Sequence, residues 1–156
     1  MFPFAADAIR RLNEASLLVI VVTNQSGVGR EYFPEALIDE VHELMTKEIT
    51  AAGARLDAIY YCPHTSADAC ESRKPKPGML ERAAREHGLD LRRSFVVGDR
   101  SVDIELARNV GARSILVRTG YGEGELAWHA SKWAVQPDFI AQTLTEAAGW
   151  ILRQPK

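Results

Sequence analysis

The sequence predicts an α/β domain in three layers, a parallel sheet with helices on both faces. Two observations predict it. Short apolar, β-branched runs alternate with segments of helical periodicity, and the connections between them are brief. Glycine-containing polar segments also fall directly after the apolar runs, where ligands bind in open parallel sheets.

Residues Ala5 to Ala15 read as an amphipathic helix with Ala5, Ile9 and Leu12 on one face. Leu17 to Val22 is apolar without alternation, as expected of a central parallel strand covered on both faces. Pro34 to Ala52 carries Leu37, Val41, Leu44 and Glu48 or Ile49 at helical spacing, with Pro34 in a first turn and Gly53 as the stop. Ala58 to Tyr61 is the second strand. Gly78 to His87 is a crossover helix ended by Gly88, and Ser94 to Val97 the third strand. Ser101 to Val110 is a helix stopped by Gly111, followed by a strand from Ser114 to Val117. A glycine-rich loop, Arg118 to Glu125, leads to a short strand from Asp138 to Ala141 and a last helix from Thr143 to Arg153. The chain opens on a helix where a doubly wound domain usually opens on a strand, so a preceding strand is expected to be absent.

At 156 residues, with 46% hydrophobic and 26% charged residues, the composition is that of one soluble domain spanning residues 1–156. A net charge of -2 gives no electrostatic basis for a nucleic-acid or membrane partner. No apolar run has the length of a membrane span, and Met-Phe-Pro-Phe lacks the basic start of a signal peptide. A cytoplasmic protein is expected, in which Cys62 and Cys70 are thiols or metal ligands rather than a disulfide. Trp128, Trp133 and Trp150 are expected to be packing residues, and His42, His87 and His129 structural or exposed.

Three strand ends carry the candidate chemistry. Thr23-Asn24-Gln25-Ser26-Gly27 offers a hydroxyl and two amides as an oxyanion cradle, or is a plain polar turn. Arg73-Lys74-Pro75-Lys76 puts three cations before a helix N-terminus, where an anion is favoured, or is a solvated basic loop. Asp99 and Asp103, four apart, either cap the following helix or hold a hard cation such as Mg²⁺. Together they assemble what phosphoryl transfer needs: oxyanion donors, a fixed positive charge and a metal-binding acid.

Val-Val-Thr-Asn-Gln-Ser-Gly, Cys-Pro-His, Arg-Lys-Pro-Lys-Pro-Gly-Met and Val-Val-Gly-Asp-Arg-Ser-Val-Asp, in that order, resemble one family. It is the capless branch of the haloacid-dehalogenase (HAD) phosphatases that contains heptose bisphosphate phosphatases and histidinol-phosphatase domains. The resemblance covers Ala5 to about Thr119 and implies a Rossmann-like three-layer fold without a cap. It assigns Thr23 to the transferring phosphoryl group, with Asn24 beside it, and Lys74 to neutralising charge. It assigns Arg73 to the rest of the substrate, Asp99 to Mg²⁺ and Asp103 to support of that acidic site. The implied reaction is Mg²⁺-dependent hydrolysis of a small phosphorylated metabolite of carbohydrate metabolism. A sugar bisphosphate such as D-glycero-D-manno-heptose 1,7-bisphosphate is the first choice, histidinol phosphate the alternative. The protein is expected to be a monomer or homodimer.

Family members begin with a strand leading into Asp-x-Asp, whose first aspartate attacks phosphorus and whose second is general acid and base. These 156 residues contain no Asp-x-Asp. The expectation is a longer enzyme of which this is a part; the alternative is a phosphate-binding remnant without turnover. The resemblance also implies a structural Zn²⁺ loop, for which Cys62, His64 and Cys70 are in place while Ser72 stands at the fourth position. Either Asp68, Glu71 or water completes the shell, or the loop holds two ordinary thiols and a surface histidine.

Overall fold

The computed structural model describes residues 2–155. Helix α1 (Ala5–Glu14) buries Ala6, Ala8, Ile9 and Leu12; of the expected face, Ile9 and Leu12 are buried and Ala5 only partly so. Strand β1 (Ile20–Asn24) pairs in parallel with β2 (Ala58–Cys62), with Thr23 opposite Tyr61. A single helical turn, α2 (Ser26–Gly29), and the long helix α3 (Ala36–Ala51) connect them. Helix α4 (Gly78–His87) leads to β3 (Phe95–Gly98), α5 (Ser101–Val110) and β4 (Arg113–Val117). The short α6 (Gly122–Trp128), β5 (Phe139–Ala141) and α7 (Leu144–Leu152) complete the chain. Strands β3, β4 and β5 form a second parallel sheet in that order.

The two sheets share a core. Val22 of β1 packs against the cluster of Leu80, Val96, Leu106 and Ala107. Leu17 and Val19 pack with Phe95 and Val97 around Ile115, Val117 and Ala148. Yet β1 and β3 each keep one edge without a strand partner among the described residues. In β1 the main-chain groups at positions 19, 21 and 23 face β2: Asp57 N–H donates to Val19 O at 2.8 Å, and Gln25 N–H to Cys62 O at 2.8 Å. The alternation of a strand turns Ile20, Val22 and Asn24 to the unpaired edge.

That edge explains a departure from expectation. The run from Leu17 was expected to be covered on both faces, but every residue of β1 is only partly buried and Leu18 is 46% exposed. Helix α3 departs similarly. Its inward residues are Ile38 and Ile49, with Met45 partly buried, while Leu37, Val41 and Leu44 lie exposed. Helical spacing marked one stripe of Leu37, Val41, Leu44 and Glu48 or Ile49, and packing against Ile9 and Ala54 turned only Ile49 of it inward. Trp150 stacks on Phe139 at 5.1 Å and packs, but Trp128 is exposed, at the end of α6. Among the described residues no helix is long and apolar enough to cross a membrane.

Candidate active site

The carboxyl ends of β1 and β3 meet around Lys74. Its backbone is gripped first: Lys74 N–H donates to Asn24 Oδ1 at 3.0 Å, and Asn24 Nδ2 donates to Lys74 O at 3.2 Å. This reciprocal pair fixes the loop before α4 against the end of β1. The side chain is then fixed at its tip, where Nζ donates to Val22 O at 3.1 Å and to Asp103 Oδ1 at 2.7 Å. Val22 O is an acceptor near the carboxyl end of the β1 edge. The side chains of Lys74 and Asp103 are only 13% and 7% exposed, so this ion pair is nearly dry. An ammonium has three N–H groups; two are used here and one remains for a ligand oxygen. Beside it Thr23 Oγ1 accepts a long hydrogen bond from Gln25 Nε2, 3.4 Å, which leaves its own hydrogen free to donate.

Asp103 has a second task. Its Oδ2 accepts from Arg100 N–H at 3.2 Å, capping the start of α5. The carboxylate lies so close over Gly98 that a Cβ there would collide with it. Asp99 is held differently: Oδ2 accepts from Tyr121 N–H at 2.9 Å, leaving Oδ1 for another partner. The loop reaches Asp99 through Gly120, whose φ of +66° and contact with Asp99 Oδ2 both exclude a side chain. The fold family implies Mg²⁺ here. One half-exposed carboxylate oxygen beside a phosphate cradle fits that ion, which typically takes one or two carboxylates plus phosphate oxygens and water.

The sites named from sequence fall into two groups. Thr23, Lys74 and Asp99 stand at one rim, with Asp103 joined to Lys74. Two of the named residues are already engaged within the protein. Asn24 was expected at the substrate; in the structure both ends of its amide hold the Lys74 backbone, with one Nδ2 N–H left over. Asp103 was expected to support the metal acid, but both its oxygens serve Lys74 and Arg100. Arg73 donates from Nη1 to His64 O at 2.9 Å, which ties it to the neighbouring loop. The region after β4 was passed over in the sequence. There the Arg100 guanidinium lies 5.1 Å over the Tyr121 ring, and its Nε points at the buried Glu125 carboxylate, 3.4 Å away. The signal was the glycine-rich segment at a fourth strand end.

Cys62, His64 and Cys70 also converge. Cys62 Sγ lies 3.7 Å from both His64 Nδ1 and Cys70 Sγ. Burial pushes the Cys62 thiol up, whereas the Ser72 backbone N–H donated to Cys70 Sγ draws that thiol down. A zinc tetrahedron with bonds of about 2.3 Å to sulfur has edges of roughly 3.8 Å, close to both separations from Cys62 Sγ. The shell does not close. Among the described residues no fourth such ligand joins the three, and Ser72 turns its N–H toward Cys70 Sγ at 3.3 Å.

A parallel α/β fold with a hydroxyl, a clamped lysine and a carboxylate at its carboxyl rim defines a phosphate-handling enzyme of the HAD type. Residues 71–147 match the family model described as HAD-hydrolase-like. The D-glycero-D-manno-heptose-1,7-bisphosphate 7-phosphatase of Thermosynechococcus vestitus is 44% identical over 165 residues, covering 97% of this chain and 82% of that relative. The corresponding enzyme of Neisseria meningitidis is 35% identical, covering 95% and 79%. The crystal structure of the D,D-heptose 1,7-bisphosphate phosphatase from B. bronchiseptica, complexed with magnesium and phosphate, superposes with a TM-score of 0.88. Identity there is 34%, over 97% of this chain and 83% of that one. The chain belongs to the HAD phosphatase family, in the branch of these heptose bisphosphate phosphatases.

Proposed function

We propose that Thr23, Lys74 and Asp99 bind the phosphoryl group of a small sugar bisphosphate, D-glycero-D-manno-heptose 1,7-bisphosphate by similarity to the relatives, for hydrolysis with Mg²⁺. The observation that carries this reading is the Lys74 ammonium, held between Val22 O and Asp103 with one N–H unspent. That N–H and the Thr23 hydroxyl donate to phosphoryl oxygens. Asp103 keeps the ammonium aimed, and Asn24 keeps the lysine's backbone in place. Asp99, steadied by Tyr121 N–H, holds Mg²⁺ through its other oxygen; when bound, the ion offsets negative charge on the phosphoryl oxygens. Arg73, beside the His64 carbonyl, reaches the part of the substrate away from the reacting phosphate.

The attacking carboxylate is not assigned to this rim, because Asp103 is engaged and Asp99 is reserved for the metal. An aspartate on a strand seated between the unpaired edges of β1 and β3 would face Lys74 and form the aspartyl-phosphate. A second reading, phosphate binding without turnover, is favoured by the lack of Asp-x-Asp in these 156 residues.

The two separate in one set of measurements. Protein isolated from its source is weighed intact and assayed for phosphate release from the heptose bisphosphate and from histidinol phosphate. The 156-residue chain is titrated with inorganic phosphate and Mg²⁺ by calorimetry. Release favouring the heptose ester, from a protein heavier than 17.3 kDa, supports hydrolysis. Equal rates on both esters sink the heptose assignment. Binding without release selects the second reading, and no binding refutes the site.

A further inference from the structure

Cys62 ends β2 and is wholly buried, while Cys70 is half-exposed in the loop before α4. Their sulfurs are 3.7 Å apart, against about 2.05 Å in a disulfide. The connecting loop is a surface segment: His64, Ser66, Ala67, Asp68 and Ala69 are all exposed. An approach of under about 2 Å therefore needs movement only in that loop and no repacking of the core. Among the described residues the cluster holds two thiols and an imidazole, with no fourth His, Cys, Asp or Glu donor to close a structural zinc shell. A closed shell would make both sulfurs unreactive ligands; an open one leaves them to react with each other.

We propose that Cys62 and Cys70 form a reversible thiol–disulfide pair whose oxidation weakens phosphate binding at Lys74. The oxidant is a low-molecular-weight disulfide. Cys70, the accessible thiol, gives up its proton and attacks one sulfur of the reagent, breaking the reagent's S–S bond and releasing one reagent thiol. Cys62 then attacks the Cys70 sulfur of the mixed disulfide and expels the second reagent thiol. One S–S bond forms and one breaks; the protein loses two electrons and two protons, and the reagent gains them. The new bond draws Cys70 toward β2 and away from Ser72 N–H. Glu71, Ser72 and Arg73 connect Cys70 to Lys74, so the displacement passes along three residues and pulls the Asn24 clamp on Lys74 out of alignment. Loss of about one hydrogen bond's net worth lowers affinity by roughly fivefold. This last step rests on the proposed phosphate site; the pairing of the thiols does not.

The test uses the 156-residue chain, reduced and then treated with oxidised glutathione. The expected product is lighter by two hydrogen atoms, has no free thiol and yields a peptide joining Cys62 to Cys70; reductant restores both thiols. Cys62→Ser should stop at a glutathione adduct on Cys70. Calorimetry with inorganic phosphate and Mg²⁺ should show roughly fivefold weaker binding in the oxidised chain. Two thiols surviving treatment, or a wild-type chain that stops at the adduct, would overturn the pair. So would stoichiometric zinc that must be chelated before the thiols react. Equal phosphate affinity in both forms would overturn the coupling to Lys74. Absence of phosphate binding in the reduced chain would instead overturn the phosphate site, with the disulfide still judged by its mass.

Discussion

Replacing Asp103 by asparagine keeps the size of the side chain and removes its charge. The pair it breaks is nearly buried, with Lys74 Nζ 2.7 Å from Asp103 Oδ1 and side chains 13% and 7% exposed. The ammonium would keep Val22 O as a neutral acceptor but lose its counter-charge in a dry site. Breaking a buried pair on one side costs about 3–5 kcal/mol, because the remaining charge is uncompensated. The asparagine oxygen still accepts from Arg100 N–H, so the cap on α5 survives and little of the loss comes from the helix. Urea unfolding of wild type, Asp103→Asn, Lys74→Met and the double variant would measure the effect, with the slope checked for constancy. The double variant should lose less than the sum of the singles, since it leaves no orphaned charge. A cost below about 1 kcal/mol for Asp103→Asn, the value for solvated surface pairs, would refute the claim that the site is dry.

Gly120→Ala forces a side chain into a left-handed backbone and against Asp99. It should cost about 1–2 kcal/mol in urea unfolding and weaken Mg²⁺-dependent phosphate binding, and unchanged Mg²⁺ dependence would show that Asp99 is not positioned by this loop. Arg82, and then the Tyr60 hydroxyl, hold the Glu86 carboxyl below its usual range. Because its folded value is depressed, its stabilising contribution is present above the ordinary carboxylate pKa and lost as pH falls through the folded value. Glu86→Gln should therefore be less stable than wild type near about pH 7, with the difference shrinking as pH falls below the ordinary carboxylate value; a gap that stays constant on acidification would refute the linkage.

The rim residues were legible because each follows its strand directly, and strand-to-ligand polarity is a rule of parallel sheets. What they do to one another was not. Asn24 and Lys74 are 50 positions apart, and Lys74 and Asp103 are 29 apart, so their bonds exist only after the crossovers have packed. The apolar run from Leu17 marked a strand, but an apolar run does not mark where pairing stops. The ladder extends past it through Thr23 and Asn24 because β2 continues to Cys62. Helix α6 escaped notice because Gly122 and Gly124 depress its helical propensity, and with it went Tyr121 and Glu125. The stripe of Leu37, Val41 and Leu44 was legible as periodic, but its outward face was decided by neighbours.

Lys74 is anchored to both halves of the molecule, by Asn24 and Val22 to the sheet of β1 and β2, and by Asp103 to the unit of β3, β4 and β5. Among the described residues no backbone ladder joins the two sheets, so this residue rivets the seam between them. An anion bound at Lys74 would then be linked by mass action to closure of that seam. Ligand occupancy and the mechanical integrity of the domain become a single equilibrium, read as slower amide exchange along the facing edges of β1 and β3.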